Sequence, residues 1–573
     1  MDARQSKFAV RLLPSLTDFA FLMPLVFLFG RMEGAKTLLA DGDTGWHIRT
    51  GEWILAHHAV PRTDIFSFSK PGEAWYAWEW LADVIWAWLH SHGGLALLAL
   101  ACAMLLSATF TIVFRVARRR SNPIIAIAVT MAAAADSSLH WLARPHLFTL
   151  LFLALFCLVL EQVRSGRERF GRVPYLVLLP GAMLLWTNLH GGFFVGIVVI
   201  AAYGIGELLK VALSPDQGER RPAWRRARNY LLAAAGCMAA SLVNPYSYHL
   251  HQHVLRYLRD PYQSRYIMEF LSLNFHHPMG MFFEITLLAG AVAAYWHASR
   301  GRFIEPVVIL VWGHGALLAS RNLPIFAIAS APFVASAIAE GLARLPASNV
   351  AAWLKSAALK FNGVASELAD TDSIRRWHVA SAAGAAVVAA LLLAPNPPRP
   401  FQAVFDPRTF PARAVEMLSG DPQARIFSLD QWGDYLIYKR YPQGKVFIDG
   451  RSDFYGAEFG RKAMDAQTVK YDWERTLNRF GVDTVLLPPT VPLAGALKES
   501  RRWRLAYDDG VALVFRSLAN RGGGAMNPVS ATAESGQAPS PAARGGDGTS
   551  RDREITKTKT QASDPVIAQI PTT

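Results

Sequence analysis

The sequence is poor in cysteine and in charged residues, and each shortage excludes a class of protein. Only 3 of its 573 residues are cysteines, and Cys102, Cys157 and Cys237 all fall inside long apolar stretches. They cannot form a disulfide framework in an exposed loop, and no CxxC or zinc-ligand spacing occurs. Charged residues make up 18% of the chain and hydrophobic residues 52%. This balance favours a membrane protein over a soluble one.

Several motifs of soluble enzymes are absent as well. The chain has no P-loop, no GxGxxG dinucleotide fingerprint and no GxSxG nucleophile elbow. Nucleotide hydrolysis and serine-esterase chemistry therefore have no support in the sequence. We also find no long internal repeat and no inverted pair of hydropathy-matched halves, which many membrane carriers contain.

The chain does contain a long series of apolar segments. A helix that crosses a bilayer needs about 20 largely apolar residues, and about eleven segments approach this length. The predicted spans are centred on residues 15–30, 94–115, 122–138, 146–163, 174–187, 193–210, 229–243, 281–298, 304–318, 323–343 and 378–395. No cleavable signal peptide is evident, because the first apolar stretch continues into the mature sequence. The predicted fold class is an α-helical multi-pass membrane protein.

Arginines mark one side of the predicted membrane. Clusters begin at Arg115, Arg164 and Arg220, after the second, fourth and sixth spans. Short loops rich in Lys and Arg stay in the cytoplasm, so these loops and the N-terminus are predicted to be cytoplasmic. The net charge of +14 then reflects topology and not a nucleic-acid partner, because the arginines alternate with spans and do not line one soluble surface. We expect a location in the plasma (inner) membrane.

The predicted chain divides into a membrane body and an outer soluble part. The segments are a body at 1–344 that includes a long first outer loop at 32–93, a cytoplasmic linker at 345–377, a last span at 378–395, an extracytoplasmic α/β domain at 396–518 and a disordered tail at 519–573. The tail is assigned from its Gly, Ser, Thr, Pro and Ala content. Strands of the α/β domain are expected at 425–429, 446–448, 484–487 and 512–515.

The first outer loop opens with two carboxylates, Asp41 and Asp43. Ionisable residues are costly beside a bilayer, and they often mark a functional site. Two tryptophan-rich amphipathic helices follow at 44–57 and 76–89, and such helices are typical of the membrane interface. We interpret the loop as a cover that lies on the membrane, with both aspartates at its hinge. N-capping of the first helix is the alternative role for either residue.

This arrangement resembles the GT-C superfamily of integral-membrane glycosyltransferases, whose members have many spans and a long first outer loop with acidic residues near its start. The resemblance covers residues 10–345 in topology and the C-terminal domain in placement. It implies transfer of a sugar from a polyprenyl-phosphate-linked donor to a glycan, lipid or protein acceptor of the cell envelope. Many members have adjacent acids where this chain has Asp41-Gly-Asp43, which leaves open which aspartate is the base.

Under this resemblance, Asp41 or Asp43 deprotonates the acceptor while cations stabilise the departing phosphate. The expected substrate-binding residues lie at outer ends of spans or in the first loop: Arg62, Arg144, His146, His190, Arg321 and Asn322. Arg144 and Arg321 are the expected phosphate partners, with snorkelling to lipid headgroups as the alternative. A divalent metal, Mg or Mn, is a further expectation, with Asp43 and His190 as ligands.

Other features leave alternatives open. Arg62 has the option of pairing with Asp64 as a brace within the loop, and Glu269 is expected to lie within reach of the site. In the C-terminal domain, Gln431–Tyr435 and Lys445–Arg451 suggest acceptor recognition or docking, although a strand-end turn explains the second equally. The alternative function is a non-enzymatic carrier or flippase for lipid-linked or small substrates. That function would use ionisable residues within spans, for which the candidates are Asp136, Glu207, Glu284, Glu305 and His314.

Overall fold

Helices account for most of the described chain, which in this computed structural model comprises residues 11–167 and 169–518. The tail predicted at 519–573 lies outside the described residues. In chain order the helices are α1 Leu16–Gly30, α2 Ala35–Leu38, α3 Asp43–His57, α4 Trp80–Arg118, α5 Pro123–Ser137, α6 His146–Arg164, α7 Tyr175–Leu189, α8 Phe194–Leu213, α9 Gln217–Ala240, α10 Tyr248–Arg259, α11 Pro261–Tyr266, α12 Pro278–Ala298, α13 Ile304–Leu318, α14 Leu323–Arg344, α15 Ala352–Asp372, α16 Val379–Leu392, α17 Ala412–Met417, α18 Asp430–Arg440, α19 Ser452–Gln467, α20 Trp473–Arg479 and α21 Pro492–Glu499.

Every predicted apolar segment coincides with a helix. Among the described residues, six helices are long and apolar enough to cross a membrane: Trp80–Arg118, Pro123–His140, His146–Arg164, Gly191–Leu213, Pro278–Ala298 and Ser320–Ala347. The shorter apolar helices α1, α7, α13 and α16 match four further predicted segments. The segment 229–243 falls mostly in the second half of α9, whose first half carries the arginines. The multi-pass helical fold class is confirmed, and the number of spans stays a prediction.

The second amphipathic helix and the second span form one element. We predicted separate helices at 76–89 and 94–115, but α4 runs through both and is kinked at Gly93 and Gly94. Gly94 has a φ of +59°, which residues other than glycine rarely adopt. The kink therefore occurs at the one pair of residues in this stretch that accepts the required backbone geometry.

A four-stranded sheet organises the C-terminal region. The strands of the chain are a short hairpin of β1 Arg169–Phe170 and β2 Val173–Pro174, then β3 Ile426–Phe427, β4 Thr484–Leu487, β5 Trp503–Asp508 and β6 Leu513–Ser517. The sheet order is β3-β4-β6-β5, with β3 and β4 parallel and the other neighbours antiparallel. The strands expected near 425, 484 and 512 are confirmed. β5 was missed, although Trp503, Leu505 and Tyr507 occupy every second position, and most of its side chains are exposed.

The first outer loop is built into this C-terminal region. The N–H of Phe68 donates to the Val446 carbonyl, and the N–H of Val446 donates to the Phe66 carbonyl, both at 3.0 Å. Trp46, Phe66 and Trp75 are buried in one apolar cluster with residues of β3, β4 and β6. Trp46, which we expected at the membrane interface, thus packs in a protein core. The interpretation of the first outer loop as a cover on the membrane was therefore wrong for Trp46. The C-terminal region supplies the apolar surface on which Trp46 packs, and the sequence of the loop does not reveal that surface.

Charged clusters lie at both ends of α6. Arg144 precedes this helix and Arg164 ends it, and a helix of 19 residues is about 28 Å long, close to the thickness of a bilayer core. At the Arg164 end, Glu305 lies 2.6 Å from Arg164 and 3.3 Å from Arg120, and Arg120 lies 2.7 Å from Glu161. The other end of the helix holds the residues that were predicted to form the functional site.

Candidate active site

The two loop aspartates lie at the start of α3, and both are buried. Asp41 Oδ1 accepts a hydrogen bond from the Asp43 N–H at 2.9 Å, and Asp41 Oδ2 accepts one from Arg144 Nη1 at 2.9 Å. Asp43 Oδ2 lies 2.8 Å from Arg144 Nη2. One guanidinium therefore bridges both carboxylates. The hydrogen bond from the Asp43 N–H to Asp41 forms a turn of the Asx type just before α3, whose N-cap residue is Gly42.

A carboxyl group of the C-terminal region faces Asp43. Asp434, on α18, accepts a hydrogen bond at Oδ1 from the Gly450 N–H at 2.9 Å. A Cβ atom added to Gly450 would overlap Asp43 Oδ1 and would come within 2.9 Å of Asp434 Oδ2. Neither of these two oxygens accepts a hydrogen bond from an N–H or hydroxyl of the described residues. The two carboxyl groups share one buried space, so they repel each other when both are ionised.

Burial and this repulsion change the ionisation of both aspartates. Burial raises the pKa of Asp43 above its ordinary value, against the opposing attraction of Arg144. Burial, together with the charge of Asp43, raises the pKa of Asp434 well above its ordinary value. A carboxylate that takes up a proton more readily is a stronger general base. Asp43 is therefore suited to accept a proton from a hydroxyl group.

A buried chain of carboxyl groups and imidazoles lies beside the aspartates. His47 Nδ1 lies 2.6 Å from Asp83 Oδ1, and His47 Nε2 lies 3.5 Å from Glu79 Oε2. Glu79 Oε1 lies 3.2 Å from His190 Nε2, and His190 Nδ1 lies 2.8 Å from Thr149 Oγ1. Burial raises the pKa of Glu79 to about 8. Burial likewise lowers the pKa of His47 and of His190 well below the ordinary value.

A second arginine reaches the site from the start of α14. Arg321 Nη1 lies 3.4 Å from Glu269 Oε1, and Arg144 Nη1 lies 3.7 Å from Glu269 Oε2. The Arg321 guanidinium also lies 4.5 Å from the centre of the Phe270 ring. Burial acts to raise the pKa of Glu269, but Arg321 and Arg144 outweigh it and lower the pKa to about 2. Both arginines belong to one ionic cluster.

Two further predicted residues lie near this cluster and bond to backbone carbonyls. His146 Nε2 is 2.6 Å from the His140 carbonyl oxygen, and the His146 ring lies 6.4 Å from the ring of His190. Asn322 donates a hydrogen bond from Nδ2 to the Gly315 carbonyl at 3.0 Å. These bonds fix the turns that present Arg144 and Arg321.

Arg62 is bonded outside the ionic cluster. Its Nη2 donates to the Pro245 carbonyl at 2.8 Å, its guanidinium lies 4.4 Å from the centre of the Tyr246 ring, and it lines a surface recess of about 260 Å³. The alternative brace between Arg62 and Asp64 was wrong, because Asp64 pairs with the buried Arg451 at 2.8 Å. A substrate role for Arg62 stays a prediction.

Three carboxyl groups of the site, Asp434, Glu79 and Asp83, were missed by sequence reasoning, and each had a partial signal. Asp434 lies in the stretch Gln431–Tyr435, which stood out but without a partner. Glu79 and Asp83 lie four residues apart in a predicted helix, so they share one of its faces. Glu269 lies close to Arg144, as expected for a residue near the site. The sequence did not indicate which charged residues would be its partners.

The predicted metal ligands have other partners. Asp43 Oδ2 contacts Arg144, and the two ring nitrogens of His190 face Thr149 and Glu79. Within residues 11–167 and 169–518, no group of three or more His, Cys, Asp or Glu side chains is placed to hold a metal ion. The described residues as arranged do not fit a metal site.

No protein-family model and no curated protein matches the chain. Among solved structures, the oligosaccharyltransferase of Archaeoglobus fulgidus, in complex with Zn and sulfate, is 13% identical over 83% of this chain and 68% of its own, with a TM-score of 0.48. ArnT from Cupriavidus metallidurans is 14% identical over 88% of this chain, with TM-scores of 0.46 in the apo state, covering 98% of that chain, and 0.44 bound to undecaprenyl phosphate, covering 99%. The chemistry of this chain has to be inferred from its own residues.

Proposed function

We propose that the protein is a membrane glycosyltransferase that moves a sugar from a polyprenyl-phosphate-linked donor to a hydroxyl group outside the cytoplasm. The observation that carries this proposal is the contact of Arg144 with both Asp41 and Asp43. Arg321 is joined to the same cluster through Glu269. A pair of guanidinium groups suited to phosphate thus lies beside a buried carboxyl group, at one end of a bundle of apolar helices.

The reaction needs a base and a cation, and these residues supply both. The acceptor hydroxyl gives its proton to the Asp43 carboxylate, and its oxygen forms a bond to the anomeric carbon of the sugar. The bond from that carbon to the phosphate oxygen breaks, and the lipid phosphate leaves as an anion. Arg144 and Arg321 stabilise the charge that develops on it. A positioned base of this kind contributes a rate factor of about 10²–10⁴.

We assign the base to Asp43 because the oxygens of Asp41 are already engaged. Asp41 accepts hydrogen bonds from the Asp43 N–H, from Arg144 and, at 3.3 Å, from Gln431 Nε2. Asp43 has one oxygen on Arg144, and its other oxygen accepts no N–H of the described residues and faces the carboxyl group of Asp434. Asp41 acts as a positioning residue that orients Arg144 and the start of α3.

Two of the five residues named for the carrier alternative have fixed partners. Glu305 is paired with Arg164 and Arg120, and Glu207 is paired with Arg226 at 2.9 Å. Carboxylates that are held by fixed arginine partners near helix ends indicate a structural role. They do not provide the exchangeable mid-membrane charge that a carrier uses.

A transfer assay tests the proposal. Full-length wild-type protein, Asp43→Asn and Asp41→Asn are each given a panel of radiolabelled polyprenyl-phosphate sugars and an envelope acceptor fraction. We expect Asp43→Asn to lower the transfer rate by at least about 100-fold, and Asp41→Asn to lower it less. Glu33→Gln is the matched control, because Glu33 is an exposed carboxylate paired with Arg408 far along the chain. Equal rates in wild type and Asp43→Asn would exclude Asp43 as the base.

A further inference from the structure

The space between Arg144 and Arg321 already holds an anion, the carboxylate of Glu269. Its oxygens lie 3.7 and 3.4 Å from the two guanidinium groups, whereas well-formed hydrogen bonds between such charged groups measure about 2.7–2.9 Å. Among the described residues, Arg321 Nη1 has no hydrogen-bond partner. The carboxylate is thus attracted by both arginines and bonds closely to neither, which leaves unused donors for an anion with more oxygens.

The three side chains are partly exposed, and the turn that carries Glu269 is anchored through its backbone. The side chains of Arg144, Glu269 and Arg321 are 24%, 26% and 29% exposed. Glu269 lies in a 3-10 turn, Met268–Phe270, and its carbonyl accepts a hydrogen bond from Ser320 Oγ at 3.2 Å. The turn is therefore held through its backbone, while the Glu269 side chain is held by its two long contacts with the arginines.

Protonation does not release the arginines from this carboxylate. The two guanidinium groups hold the pKa of Glu269 at about 2, so it stays charged at neutral pH. The arginines become available only when another anion takes the place of Glu269. Until then the carboxylate compensates their charge in a partly buried space, where an unpaired charge is costly.

We propose that Glu269 is a resident counterion, which the phosphate group of the lipid-linked substrate displaces. This inference rests on the proposed function in one respect, namely that the phosphate belongs to a lipid-linked substrate. While the Glu269 carboxylate contacts the two arginines, the site does not bind phosphate. The apparent dissociation constant for the phosphate ligand therefore equals the intrinsic constant divided by the fraction of protein in which Glu269 has moved away. The same carboxylate returns after transfer and competes with the lipid phosphate product, which favours its release.

Binding measurements on purified full-length protein test the displacement. The probes are geranylgeranyl phosphate in detergent micelles, inorganic phosphate, and geranylgeraniol, which lacks the phosphate. Glu269→Gln removes the competing charge and should lower the dissociation constant for geranylgeranyl phosphate about tenfold or more. Glu269→Asp keeps the charge but shortens its reach by one methylene, so it should also bind this probe more tightly than wild type. Glu33→Gln should bind like wild type.

The outcomes separate displacement from a simple effect of net charge. Through-space charge alone would leave Glu269→Asp equal to wild type, and that result would overturn the inference. Unchanged or weaker binding by Glu269→Gln, an equal gain for geranylgeraniol, or no binding of any phosphate probe would overturn it too. A gain shared by inorganic phosphate supports displacement by the phosphate group alone, and a gain restricted to the lipid supports a headgroup held together with its chain.

The inference and the proposed function fail in different experiments. If Glu269→Gln tightens lipid-phosphate binding while no donor supports transfer, displacement stands and the glycosyltransferase proposal falls. If transfer depends on Asp43 while Glu269→Gln leaves the dissociation constant unchanged, the function stands and the displacement is wrong.

Discussion

Arg144 links the charged residues of the candidate site. Its terminal nitrogens contact Asp41 and Asp43, and Glu269 is its third charged neighbour. Burial opposes its charge, but the attraction of Asp43 and Asp41 outweighs burial and raises the pKa of Arg144 well above its ordinary value. A lysine at this position would keep the charge but has no planar fork to bridge two carboxylates.

Glu79 should make the stability of the protein depend on pH. Burial raises its pKa from 4.5 to about 8, so the folded protein retains a proton that the unfolded chain has lost. The stability that this group contributes is fully present below pH 4.5 and is lost as the pH rises through about 8. Thermal unfolding in detergent should show a lower free energy of unfolding at about pH 9 than at about pH 6. In Glu79→Gln this decrease should be smaller by on the order of 2 kcal/mol.

The control for this measurement is Glu73→Gln. Glu73 is an exposed carboxylate of the same loop, paired with Lys70, and its removal should leave the pH dependence as in wild type. An equal fall in wild type and Glu79→Gln would show that Glu79 is ionised in the folded protein.

At the scale of elements, α3 and α18 approach closely because glycines line their contact. A Cβ added to Gly45 would lie 2.7 Å from Tyr438 Cβ and 2.8 Å from the Asp434 carbonyl oxygen. Small residues at these positions let the loop helix and the C-terminal helix come together. This approach brings Asp43 next to Asp434, two residues that are far apart in the sequence.

Gly45→Ala should separate the two helices. The added methyl group has no space, so we expect a loss of about 1–3 kcal/mol in the free energy of unfolding and a lower transfer rate, because Asp43 moves with α3. Gly363→Ala on α15 is the matched control: nothing lies within 4 Å of its Cβ position, and replacement of an exposed helical glycine should stabilise by up to about 1 kcal/mol. Wild-type stability and transfer rate in Gly45→Ala would contradict this description of the contact.

At the scale of the whole molecule, the two ends of the helical bundle differ in character. The end with the site carries the first loop and the C-terminal sheet, which share an apolar core. The opposite end carries the arginine-rich turns and the paired Arg120, Arg164 and Glu305. The positive-inside rule assigns this second end to the cytoplasm, which predicts an extracytoplasmic site.

Cysteine labelling in intact cells tests this orientation. The native cysteines are buried, so an introduced cysteine supplies the accessible thiol. Ser419 lies in the C-terminal region and Ser373 between α15 and α16, and both are exposed. Ser419→Cys should react with a membrane-impermeant maleimide, and Ser373→Cys only after permeabilisation. The reverse pattern would invert the predicted topology.

Sequence reasoning recovered the features that depend on neighbouring residues. The length and apolar content of each segment predicted the helices, because these two properties of a segment decide whether it can cross a bilayer or pack in a core. Asp41, Asp43, Arg144 and Arg321 were identified because polar residues at the ends of apolar spans are conspicuous. The environment of Trp46 was not predicted, since an apolar face packs equally well on lipid or on protein.

The sequence by itself determined the helical body, and it singled out Asp41 and Asp43 as candidate site residues. Only the tertiary structure decided that Asp434 faces Asp43, that Glu79 joins two histidines and that Glu269 lies between two arginines. Hydropathy and charge bias act segment by segment along the chain. Contacts between carboxyl groups and their partners depend on distances of a few ångströms between elements that are distant in sequence, and packing alone sets those distances.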